Sequence, residues 1–153
     1  MNIQFNFFLM ILYIGSDHAG FELKEVFKKY LDGQGVRHVD LGAFSLDPID
    51  YPDIAYEVCE KILEHDDGEA CGLLICGTGL GMCIVANKVK GIRAASIVDE
   101  KMAEMARRHN NANVICLAGR SIDQELAKKI VSVFLNTPFD GEERHVRRIE
   151  KIE

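Results

Sequence analysis

At 153 residues, with 48% hydrophobic and 27% charged side chains, the chain has the size and composition of one globular domain able to bury a full core. A net charge of −6 excludes a general attraction to nucleic acid or to anionic membranes, so any anion site has to be a local basic patch. The cysteines (Cys59, Cys71, Cys76, Cys83 and Cys116) form no CxxC pair and are odd in number, which fits a reducing cytoplasm better than a disulfide framework.

The N-terminal run Phe5 to Ile14 is strongly apolar but too short to span a bilayer, and it lacks the basic start and small-residue cleavage site of a signal peptide. Met10 stands directly before the first strand pattern, so residues 1–9 read as an extension outside a domain of residues 10–153. Ile11–Ile14 is the first predicted strand, with Gly15 to Gly20 as its exit loop. Phe21, Leu23, Val26, Phe27, Tyr30 and Leu31 follow near-helical spacing, and Gly33 and Gly35 end that helix. Val36–Leu41 predicts a second strand. A polar loop with Pro48 and Pro52 follows, and Asp53 reads as the N-cap of a helix to about His65.

Cys71–Cys76 is the third predicted strand, a short apolar run of the kind buried in parallel sheets. It leads into Gly77, Thr78, Gly79 and Gly81, then a helix to Val89. Ile92–Val98 is a fourth strand, and Asp99 caps a helix to about His109. Val114–Leu117 is a fifth strand, and a helix covers Asp123–Leu135. Pro138 and Gly141 break it before a charged C-terminal tail, read as a last helix or an extended arm. Strands alternating with helices predict an α/β fold. It is a doubly wound, Rossmann-like parallel sheet of five strands, with helices on both faces, right-handed crossovers and a C-terminal tail.

Strand, glycine loop, helix is the layout that aims backbone N–H groups at an anion, and Cys76 stands where open α/β sheets place their ligands. A dinucleotide fingerprint fails at its third glycine, since Met82 occupies that position. A cysteine phosphatase needs an arginine closing the loop, and none occurs before Lys88. Two readings stay open here. Cys76 is a base or nucleophile beside an oxyanion-stabilising loop, its thiolate favoured by the helix N-terminus, or it is a buried structural thiol beside a tight turn.

Other polar groups gather at strand exits and helix ends: Asp17 and His18 after the first strand, Thr78 after the third, His109, Asn110 and Asn111 after the fourth, and Arg120 after the fifth. Each taken alone is ordinarily a turn former, a cap or a solvated charge. The histidines show no metal-ligand spacing, so no metal is expected. If the tail is helical, Arg144 and Arg148 share a face and make a plausible phosphate clamp.

In combination, SDHAGFELK (16–24), DYPD (50–53), ICGTGLGMCIVANK (75–88), GIRAA (91–95), RRHNNANV (107–114) and RHVRRI (144–149) resemble the type B ribose-5-phosphate isomerases and the related galactose-6-phosphate isomerase subunits. The six segments lie in the family order and cover nearly the whole chain from Met10. In one branch of that family the base is a glutamate a few residues beyond the strand end. Here Cys76 and Cys83 fill the two positions, so the chain is similar to the cysteine-base branch.

The resemblance implies cofactor-free and metal-free interconversion of ribose 5-phosphate and ribulose 5-phosphate through an enediolate. Galactose or allose 6-phosphate is the alternative substrate, and a sugar-phosphate-binding regulator is the non-enzymatic alternative. It implies Cys76 as base, and Thr78 with the backbone of Gly77, Gly79 and Gly81 at the oxyanion. It further implies ring opening by His109 with Asp17, hydroxyl contacts from Tyr51 and Asn110, and phosphate contacts from His18, Arg120, Arg144 and Arg148 with His145 close by. It implies a cytoplasmic homodimer or tetramer with sites shared between subunits.

Overall fold

The computed structural model describes residues 10–153; the extension expected at residues 1–9 lies outside them. Five strands, β1 (Ile11–Ser16), β2 (Arg37–Asp40), β3 (Ala70–Cys76), β4 (Ala94–Ser96) and β5 (Val114–Ala118), form one wholly parallel sheet in the order β2-β1-β3-β5-β4. The helices are α1 (Phe21–Gln34), α2 (Tyr51–Leu63), α3 (Leu80–Ala86), α4 (Glu100–Asn110), α5 (Gln124–Asn136) and α6 (Glu143–Glu150). This is the doubly wound fold that the alternation predicts. Among the described residues no helix is long and apolar enough to cross a membrane.

The sheet is buried on both faces, and β3 at its centre is buried at every position. Alternate residues serve opposite layers, because successive strand side chains point to opposite faces. Leu12, Ile14, Leu73, Ile75, Ile115 and Leu117 meet Phe27 of α1, Ala103 of α4 and Phe134 of α5. Tyr13, Leu74, Cys76 and Cys116 meet Val58 of α2 and Met82 of α3. Burying one such Leu, Ile or Phe stabilises the fold by about 1.5–3 kcal/mol, well above the fractions of a kcal/mol that separate ordinary residues in helix propensity. Tertiary packing therefore fixes where the helices lie.

Several boundaries depart from the sequence reading. α1 runs through Gly33 and stops at Gly35, whose φ of 70° gives the left-handed cap that glycine adopts without strain. Asp53 is not the N-cap of α2. Asp50 holds that position with extended backbone, and Pro52 follows in the first turn, where a missing N–H leaves nothing unsatisfied. β4 is shorter than the sequence reading, at Ala94–Ser96. Asn113 Oδ1 accepts the Arg93 N–H at 2.8 Å, and Asp99 turns away to cap α4 by accepting from Met102 N at 2.7 Å. The charged tail is helical, as α6, and packs against α4.

The link from β2 to α2 is irregular and pinned from below. Lys24 is fully buried in α1, and its Nζ donates to Asp40 Oδ1 at 2.6 Å. The same carboxylate oxygen accepts the Gly42 N–H at 2.9 Å, and the Lys24 ammonium lies 5.2 Å from the centre of the Phe44 ring. Burial pushes the Asp40 carboxyl up, but hydrogen bonds from Lys24, Lys28 and the Gly42 amide outweigh it and hold its pKa below the ordinary carboxylate value.

Candidate active site

β1 leads leftward to β2 while β3 leads rightward to β4, so the carboxyl ends of β1 and β3 flank a point where the winding reverses. Open α/β sheets bind ligands in that crevice. The loops after β1, β3 and β5 meet there. Asp17 N–H donates to Ile75 O at 3.2 Å, and Gly119 N–H donates to Cys76 O at 2.8 Å. A methyl group on Gly20 would stand 2.2 Å from Ile75 O, so only glycine lets α1 start this close to β3.

Cys76 ends β3 and is 4% exposed. Arg120 covers the loop behind it: a methyl group on Gly77 would lie 3.3 Å from Arg120 Nη1, and the Arg120 N–H donates to Gly77 O at 3.3 Å. Gly79 has φ 74°, the left-handed conformation that lets the chain turn directly into α3. Thr78 Oγ1 accepts the Leu80 N–H at 3.3 Å, which leaves its own hydroxyl hydrogen available to another acceptor. The Tyr51 ring closes the far side, within 2.7 Å of where a methyl on Gly81 would stand. His18 Nδ1 accepts the Ile49 N–H at 3.3 Å. That places the hydrogen of a neutral ring on Nε2, where it can donate to an anion.

Asp17 has a second duty. Its Oδ1 accepts the N–H groups of Ala19 at 2.9 Å and Gly20 at 3.1 Å, so the buried carboxylate shapes its own turn. The other cysteine of the motif is committed elsewhere. Cys83 Sγ donates to Ala94 O at 3.6 Å and accepts from Asn87 Nδ2 at 3.6 Å, where α3 meets β4. A hydrogen bond from Cys116 outweighs burial and, with contacts from Ser96 and Asn87, lowers its thiol to about 7.

The remaining expected residues lie in a second cluster. His109 and Asn110 end α4, which leads back to the start of β5, and α6 brings Arg144, His145 and Arg148 to that same end of α4. Val114, the first residue of β5, pairs with Gly72, whereas Cys76 pairs with Ala118 four residues further on. His109 precedes Val114, so it belongs to the opposite edge of the sheet, with about 13 Å of strand between Gly72 and Cys76 alone. Within one chain the expected pairing of Asp17 with His109 therefore does not form.

The second cluster has its own order. The His109 and His145 rings stack with centres 4.3 Å apart. His145 is buried, and its Nδ1 meets both oxygens of Asp140, at 2.9 and 3.1 Å. Arg144 Nε donates to Glu142 Oε2 at 2.7 Å, and Arg144 and Arg148 are both exposed. Sequence reasoning overlooked Asp140 and Lys24. Lys24 acquires its role from Asp40, sixteen residues on, whereas Asp140 meets His145 only five residues on, across the turn before α6.

Nearly the whole chain is similar to known proteins of one family. The Ribose/Galactose Isomerase family matches residues 12–152. A probable ribose-5-phosphate isomerase B of Mycoplasma pneumoniae is 46% identical over 142 residues, covering 92% of this chain and 91% of that protein. Among solved structures, a ribose 5-phosphate isomerase of Thermotoga maritima is 52% identical with a TM-score of 0.89, covering 94% of this chain and 97% of that one. The ribose-5-phosphate isomerase B of Mycoplasma genitalium, solved with bound ribulose-5-phosphate, is 46% identical with a TM-score of 0.88, covering 94% and 93%. With fold, motifs and near full-length matches in agreement, the chain belongs to the ribose/galactose isomerase family.

Proposed function

We propose that this enzyme interconverts ribose 5-phosphate and ribulose 5-phosphate without a cofactor. The observation that carries the reading is the Cys76–glycine loop–Arg120 assembly at the winding reversal, in a chain whose relative of known structure holds ribulose-5-phosphate. The Cys76 thiolate removes the proton from C2 of the open-chain aldose, and negative charge develops on O1. The Thr78 hydroxyl and the amides from Gly77 to Gly81 stabilise that oxygen. The thiol then returns the proton to C1, while the hydroxyl proton shifts from O2 to O1, giving the ketose. Tyr51 and Asn110 hold sugar hydroxyls. His18 and Arg120, together with Arg144 and Arg148 of a second copy and its His145 nearby, grip the phosphate and orient the reacting carbons, and Asn110 comes from that same second copy.

Because His109 lies at the far edge of its own sheet, we assign ring opening at each Cys76 to His109 of a second copy, in a homodimer with two composite sites. Two such dimers could build a tetramer. The cytoplasm, where thiols stay reduced, suits a cysteine base. The test is turnover by the purified chain across phosphorylated sugars of four to six carbons, ribose 5-phosphate, galactose 6-phosphate and allose 6-phosphate among them. Ribose 5-phosphate should give the highest kcat/KM. Turnover of none of them would leave a binder and overturn the enzymatic role.

A further inference from the structure

We propose that His109, Asp140 and His145 form a binding site for one divalent cation of the zinc class, and that this cation excludes the phosphorylated sugar. The exclusion rests on the isomerase reading above; the binding does not. The three side chains offer one ligand atom each, all within 4.8 Å of one another. They come from three backbone anchors: the last turn of α4, the loop before α6, and α6 itself. Asp140 is fixed twice, its N–H donating to Arg108 O at 3.2 Å and its Oδ1 accepting the Glu142 N–H at 3.1 Å.

Zinc binds imidazole nitrogen and carboxylate oxygen at about 2.0–2.2 Å, so neighbouring ligands on a tetrahedral ion stand roughly 3.3–3.5 Å apart. The Asp140–His145 contacts, at 2.9 and 3.1 Å, need to open by only a few tenths of an ångström as the ion replaces the shared proton. His109 is half-buried at a helix end and closes the remainder by a side-chain rotation. Two imidazoles and a carboxylate select zinc, cobalt or nickel over magnesium and calcium, which need mostly oxygen ligands. Three protein ligands leave a fourth position to water. His109 and His145 are also groups assigned to ring opening and phosphate, so ion and sugar phosphate cannot both hold them.

The test titrates zinc into the purified full chain against a chromophoric chelator, with no sugar or phosphate present. We expect one ion per chain, and binding at least tenfold weaker in both Asp140→Asn and His109→Gln, each checked for native circular dichroism. No binding, or binding unchanged in both variants, overturns the site. Cobalt in place of zinc should give a four-coordinate spectrum without a sulfur charge-transfer band; such a band would place the ion on the thiols and overturn the ligand set. In the activity arm, zinc should raise KM for the sugar phosphate, and EDTA should reverse this. An unchanged KM with the ion bound overturns the exclusion. A chain with no isomerase activity would still be decided by the binding arm.

Discussion

Cys76 and Cys83 stand on the same strand–loop–helix unit in different surroundings, and the difference is testable. Cys83 has the lowered thiol, but it spends its contacts on Ala94 and Asn87, where α3 is welded to β4. Cys76 has the glycine loop and Arg120 beside it. A low thiol pKa without a facing oxyanion loop makes a reactive cysteine, and proton transfer at carbon needs the loop as well. Cys76→Ala should therefore lower kcat by about 10²–10⁴-fold, the usual contribution of a general base, while Cys83→Ala keeps most of the activity. The opposite ranking would move the base to Cys83. At the other cluster, Arg144→Ala and Arg148→Ala should weaken phosphorylated ligands by about 1.5–3 kcal/mol each, and inorganic phosphate should compete with substrate. Unchanged KM in both variants would return α6 to a merely solvated basic face.

The strands and helices were legible because short apolar runs bounded by turn residues give way to helical spacing, and because the glycine loop is unmistakable between β3 and α3. What stayed hidden depended on contacts between elements. Asp53 looks like a cap by residue type, yet the backbone at Asp50 decides where α2 begins. Lys24 looks like a solvent-facing helix charge, yet it is buried beneath the loop that carries Ile49 to His18 and leads into Tyr51. An orphaned buried charge costs about 3–5 kcal/mol; Asp40 keeps Lys28 at 2.9 Å and the Gly42 amide, so Lys24→Met should lower stability to urea by less than that. The pH dependence has a definite sign. The Asp40 carboxyl is held below its unfolded value of about 3.9, so its contribution is complete above that pH and fades as pH falls through the lower folded-state value. The gap between wild type and Lys24→Met should be full near neutrality and narrow below about pH 4. A gap that stays constant down to pH 2 would mean Lys24 acts by packing alone.

At the scale of the whole molecule, half of the expected site lies at the carboxyl edge of the sheet and half at the amino edge. A parallel sheet forces this, because each helix returns the chain to the edge where the next strand starts. Residues at a helix C-terminus and residues at a strand C-terminus therefore cannot share a site in one chain unless a long loop bends one to the other. α4 reaches β5 through Asn111, Ala112 and Asn113 only. A two-fold axis would solve the problem by setting the amino edge of one copy against the carboxyl edge of the other, twice over. Complementation tests this directly. Cys76→Ala and His109→Ala should each lose most of their activity alone; equal amounts are mixed, unfolded, refolded and assayed. With random pairing, half the dimers are mixed, and in each mixed dimer one of the two sites has both residues intact. Activity should recover to about one quarter of wild type. If Cys76 and His109 served the same site from one chain, every site in the mixture would still lack one of them. Activity would then remain at the level of the separate variants, and the composite site would have to be given up.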